Sequence, residues 1–114
     1  MNTETENRRH PRIPLWWPVV LMPSSGPIMG TIKNISVSGA LISCSEPIEN
    51  ENEFLIILKA PKGREMPISC KKVWSDNMSV GFIFTKISSS IKNFISSLVE
   101  DSISYGVYES VSYH

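Results

Sequence analysis

Six short β-prone runs, each ended by turn residues, precede one stretch of helical period, and this order constrains the fold more than any other feature of the chain. The runs are Leu15–Met22, Ile28–Ile35, Ala40–Cys44, Phe54–Ala60, Met66–Trp74 and Ser79–Thr85. Alternation assigns their faces: Ala40, Ile42 and Cys44 share one side, and Ile68 and Cys70 point inward. The run Phe54–Ala60, FLIILKA, is the most apolar and reads as a central strand. Pro18 marks an edge or bulge in the first run. Turns follow from PSSGP (23–27), SVSG (36–39), PKGRE (61–65) and SDNM (75–78), and EPIENENE (46–53) is an acidic surface loop.

The period then changes. Ile91, Phe94, Ile95, Leu98 and Val99 fall on one helical face, with Ser88, Ser89 or Ser90 available as the N-cap. Strands closed by one helix predict a mainly β fold, a small six-stranded antiparallel β-barrel with one C-terminal α-helix packed on it. The expected layout is a disordered N-terminus over 1–7, one domain over 8–100 and a tail over 101–114. Within the domain, the arm spans 8–14, the barrel 15–85 and the helix 88–100. Pro11 and Pro14 keep the arm extended.

A chain of 114 residues supports one domain with a modest core. Eleven basic and eleven acidic residues give zero net charge, which disfavours nucleic acid as a partner. No apolar run is long enough for a membrane span, so no membrane insertion is expected. The stretch MNTETENRRHPRIP holds no apolar signal core, and a cytoplasmic location is the expectation. Cys44 and Cys70 are too few for a disulfide framework, lack CxxC spacing and read as small core hydrophobes.

Catalytic chemistry finds little to work with. The two histidines, His10 and His114, lie near the termini, and Asp76 and Asp101 are the only aspartates. No His, Cys, Asp and Glu cluster has metal spacing, and neither a nucleophile elbow nor a phosphate-binding loop is present. The chain reads as no enzyme, with no catalytic residue, metal or cofactor.

Arginine is unevenly used. Three of the four arginines, Arg8, Arg9 and Arg12, fall within five residues on the arm; the fourth is Arg64. Planar guanidinium forks suit paired acceptors such as phosphate oxygens or the O6 and N7 of guanine. Arg8 and Arg12 project to the same side of an extended arm, their Cα atoms at most about 13 Å apart. Arg9 projects the other way and either adds a contact or is solvated. A second constellation, Asn34-x-Ser36-x-x-Gly39, lies between the second and third runs. Read alone, it is a hairpin turn of ordinary turn residues.

The two motifs occur in order, flanked by GTIKNISVSGALIS (30–43) and KKVWSDNMSVGFIF (71–84). From about Arg8 to Glu100 the chain resembles the PilZ domain family. That resemblance implies the six-stranded barrel with its helix and a receptor for the bacterial second messenger cyclic di-GMP. It places Arg8, Arg12, Asn34, Ser36 and Gly39 at the ligand, with Arg9 as a candidate further contact. Asn34 is the neutral form of a position the family fills with Asp or Asn, and offers one oxygen where Asp offers two. Ser36 donates to a phosphate or holds the turn. Gly39 supplies a positive φ or lets the ligand approach the backbone. In the family the residue before RxxxR is tied to whether one ligand or a pair binds; Asn7 is not basic and leans to one, while Arg9 leaves the matter open.

The expected function is a stand-alone receptor and adaptor. Cyclic di-GMP would fold an arm that nothing obvious pins to the barrel, and the changed surface would signal to an unidentified output protein. The alternative is a PilZ-like interaction module in motility or surface assembly that binds no nucleotide. A barrel binding single-stranded nucleic acid through aromatics is a third class, disfavoured by the charge balance. Trp16 and Trp17 are adjacent, so one faces away from the core and can dock a base or a protein; Trp74 is expected at the core or the barrel rim.

Overall fold

The structure, a computed structural model, describes residues 11–104. Seven strands are formed: β1 Ile13–Pro14, β2 Pro18–Met22, β3 Ile28–Ile35, β4 Gly39–Cys44, β5 Glu53–Lys59, β6 Glu65–Asp76 and β7 Ser79–Lys86. A helix, α1, covers Ser89–Ser104. All pairings are antiparallel, and the order β2-β3-β4-β7-β6-β5 returns to β2. The chain is thus a closed six-stranded barrel with one extra short strand and one C-terminal helix. Closure leaves no unpaired edge between these six strands, which removes the usual hazard of an open sheet.

Alternation fills the barrel. Val19, Leu21, Ile32, Ile42, Ile56 and Leu58 are fully buried, and Ile68, Cys70, Val80 and Phe82 join them. Each fully buried aliphatic side chain contributes on the order of 1.5–3 kcal/mol. Phe54 and Phe82 meet edge to face across the interior, ring centroids 5.6 Å apart. The FLIILK run lies between β2 and β6, as its apolar character predicts.

The N-terminal part departs from expectation. Leu15–Met22 does not form one strand. Ile13–Pro14 pairs with the far end of β3, and β2 begins only at Pro18. Between them Leu15 N–H donates to the Lys33 carbonyl at 3.1 Å, and Ile32 N–H donates to the Trp17 carbonyl at 2.8 Å. Three residues therefore face two, and Trp16 is the extra one, with φ of 56° and its side chain 62% exposed. The arm is also pinned sooner than expected: Ile13 is 2% exposed and sits in the core. Arg8, Arg9 and the rest of the expected N-terminal segment through His10 lie outside the described residues, as does the tail from Tyr105.

Helix α1 starts where the serines allow. Ser88 is the cap, its Oγ accepting from Ile91 N–H at 3.2 Å. The helix continues four residues past the expected end at Glu100. Ile95 and Val99 are buried, and Phe94 packs on Trp17 with centroids 6.2 Å apart. Arg64 lies over the other partner of this contact, its guanidinium carbon 4.7 Å from the Phe94 ring centroid. Trp17 thus takes the packing role against the helix, and Trp16 is the outward member of the pair.

Candidate ligand-binding site

The turn after β3 is built by Ser36. Its N–H donates to the Gly39 carbonyl at 2.9 Å, and its Oγ accepts from Ser38 N–H at 3.1 Å while sharing a hydrogen bond with Ser38 Oγ. Ser36 is 3% exposed, so this hydroxyl holds the turn, one of its two expected roles.

Gly39 requires a correction. It is not among the positive-φ glycines, which are Gly26 and Gly63. A Cβ at Gly39 would instead meet the Phe82 carbonyl oxygen at 2.2 Å. The glycine is needed because β7 passes against the backbone of β4, not because the turn is left-handed.

Asn34 stands out electrostatically. It is 4% exposed, and its Oδ1 is buried with no hydrogen-bond partner among the described residues. An orphan buried acceptor costs about 1–3 kcal/mol and calls for an explanation. A bulge at Lys33 shifts the register so that Asn34 opposes Leu41, an outward position of β4. On its other side Asn34 opposes Pro14. Continuing that pairing by two residues puts Arg12, half-buried, across from Ser36.

The same row extends around the barrel. Leu41 opposes Gly81, and Gly81 opposes Trp74. The indole lies over Gly81, with Trp74 Cε3 3.5 Å from where a Cβ would stand. Trp74 is 50% exposed, so it belongs to the outer face and not to the core. The outer face therefore carries, in one line across β1, β3, β4, β7 and β6, Pro14, Asn34, Leu41, Gly81 and Trp74. From Asn34 to Trp74 this is three strand spacings, about 14 Å. Leu41 was not singled out from sequence and Trp74 was expected only at the core or the barrel rim; the register of four strands brings both into the row of Asn34.

The structure thus brings Arg12, Asn34, Ser36 and Gly39 to one end of the barrel wall, while Arg8 and Arg9 lie outside the described residues. The two thiols stand apart. Cys44 and Cys70 are buried, and burial pushes them from the ordinary 9.0 up to about 11 and about 12. Cys70 donates weakly to the Phe54 carbonyl. Among the described residues no three His, Cys, Asp or Glu side chains gather into a metal-holding group, and no helix is long and apolar enough to cross a membrane.

The polar turn at Ser36–Gly39 and the half-buried Arg12 thus lie on one wall of a closed β-barrel. The chain belongs to the PilZ domain family, which it matches over residues 6–101. Its fold is similar to that of the Bacillus subtilis inhibitor of motility, MotI/DgrA, with TM-score 0.70 and 12% identity over 85% of this chain. The chain spans about half of that structure, 51%. It is similar to the PilZ domain of CeSA from a cellulose-synthesizing bacterium, with TM-score 0.58 and 21% identity, covering 82% of this chain and 97% of that one. It is also similar to the PilZ domain of YcgR from Escherichia coli, a structure with c-di-GMP, with TM-score 0.55, 20% identity and coverage of 86% and 95%. A comparison with curated protein sequences returned no match.

Proposed function

We propose that the chain is a receptor for cyclic di-GMP that signals through a partner protein and carries out no catalysis. The observation that supports this most is the buried, unpartnered Oδ1 of Asn34 on the wall where the arm crosses. A guanine edge offers N–H donors to that acceptor, and the ligand would satisfy what the free protein leaves open. Arg12, with Arg8 and Arg9 from the arm, supplies forks for phosphate oxygens or for O6 and N7 of guanine. Ser36 keeps the turn rigid beneath them.

Trp74 extends the reading. Its ring lies over Gly81 and the residue is half exposed, about 14 Å along the row from Asn34. A base stacked there would gain about 1–3 kcal/mol. One molecule with two guanines can engage Asn34 at one end of the row and the indole at the other, across Leu41. The similarity to the inhibitor of motility makes a motility component the first class of output partner to test.

Titration of uniformly labelled protein with cyclic di-GMP, followed by NMR, tests the placement. Shifts are expected at the Asn34 side-chain amide, the Leu41 and Gly81 amides and the Trp74 indole N–H, with little change on β2 and β5. Shifts confined to other walls would contradict the site. No shift at all would favour the rival interaction module that binds no nucleotide.

A further inference from the structure

A second wall of the barrel carries a different feature. On β3, β2, β5 and β6 the outward positions form rows set by the register. Met29 opposes Val20, Val20 opposes Ile57, and Ile57 opposes Pro67. The next row holds Met22 opposite Leu55. These six apolar side chains are contiguous and face out. Met29 is 56% exposed, Met22 40% and Leu55 38%, so helix α1 does not cover them. Isolated exposed apolar residues are ordinary, but a contiguous band of one row across four strands and a second across two marks a contact surface.

The rim of this band identifies its occupant. At one end Lys59 of β5 opposes Glu65 of β6, and the two form an ion pair. At the other end Glu53 of β5 opposes Lys71 of β6. Each strand therefore carries opposite charges at its two ends, and the two strands carry them in opposite order. Such a pattern is complementary to itself under one operation. A two-fold axis lying in the contact plane, across the strands and between the two apolar rows, exchanges the ends of every strand. It brings Lys59 to the partner subunit's Glu53 and Lys71 to the partner subunit's Glu65. It also sets Ile57 against the partner subunit's Leu55 and Val20 against the partner subunit's Met22.

We propose that this face is the interface of a two-fold dimer of this chain. The strands of the two copies then run nearly aligned, the ordinary geometry of packed sheets. The interface is isologous, with the same band used twice, as two-fold symmetry demands. It leaves free the row that holds Asn34 and Trp74, so the inference does not rest on the ligand reading. With its charged rim the band measures three strand spacings by the length of β5 from Glu53 to Lys59, roughly 20 Å each way and on the order of 400 Å². That is about half the patch of a standard stable complex, so the dimer forms reversibly at tens to hundreds of micromolar, about that range of dissociation constant.

Sedimentation velocity on the full chain, from about 10 to about 500 μM so as to bracket that constant, tests this. A concentration-dependent shift from monomer to dimer is expected, weakened at least tenfold by Leu55→Lys. Two charge variants test the symmetry. Glu53→Lys with Glu65→Lys makes the rim wholly positive, and Lys59→Glu with Lys71→Glu makes it wholly negative. Each should be monomeric alone, and an equimolar mixture of the two should dimerise. All four substituted positions are on the outer face, and thermal melting checks each fold. A wild-type protein monomeric throughout the range, a dimer indifferent to Leu55→Lys, or a mixture that stays monomeric would each overturn the proposal.

Discussion

Gly39 and Phe82 are in contact through backbone alone: a Cβ on the glycine would lie 2.2 Å from the phenylalanine carbonyl oxygen. The barrel closes between β4 and β7 at this point, and the NxSxxG turn is anchored there. Gly39→Ala must push the two strands apart. The expected loss is about 2–3 kcal/mol in urea unfolding, the upper part of the range for overpacking. Gly63→Ala is the control: φ is 75° with nothing within 4 Å, so only conformational strain of about 1 kcal/mol applies. Equal losses at the two glycines would contradict the crowding argument.

Asn34 behaves in the opposite way. Its Oδ1 has no partner to lose among the described residues, so Asn34→Ala should change stability by about 1 kcal/mol or less. Cyclic di-GMP binding should fall at least tenfold, about 1.4 kcal/mol. Unfolding of the variant without ligand would show instead that the side chain holds the turn.

Arg64 separates helix docking from ligand binding. Its guanidinium stacks on Phe94, which packs on Trp17. Arg64→Ala should cost about 0.5–1 kcal/mol of stability, the range for an exposed cation–π contact, and leave the ligand affinity unchanged. A binding loss matching that of Arg12→Ala would point to diffuse attraction by positive charge.

The thiols set an alkaline limit. Burial raises Cys44 to about 11 and Cys70 to about 12, from 9.0 when exposed. An acid whose folded value is raised stabilises the fold fully below its unfolded value. Above pH 9 the unfolded chain loses these protons first, so stability should decline from pH 9 through 11 to 12. Below pH 9 the thiols should label only as fast as the barrel opens. Rapid labelling by a thiol reagent at pH 8 under native conditions would show that the burial is wrong.

Much of the barrel was legible because alternation is a local signal. Ile42 and Cys44, or Ile68 and Cys70, reveal their face within their own strand. The break at Leu15–Trp17 was not legible. Trp16 takes φ of 56°, a conformation that a bulky residue rarely adopts and that no turn residue announces. Gly39 was found by motif, but its contact with Phe82, far along the chain, was not legible, and a local reading offered a left-handed turn or ligand approach. Trp74 joined Asn34 for a similar reason: a bulge at Lys33 and three strand pairings had to be known before they shared a row.

Calorimetric titration of the purified protein with cyclic di-GMP tests the central claim most directly. The account predicts a dissociation constant in or below the micromolar range, about −8 kcal/mol. Arg12→Ala and Asn34→Ala should each weaken it at least tenfold, while GMP and a single-stranded oligonucleotide should not substitute. No heat at about 100 μM ligand, some hundredfold above that constant, would contradict the receptor reading.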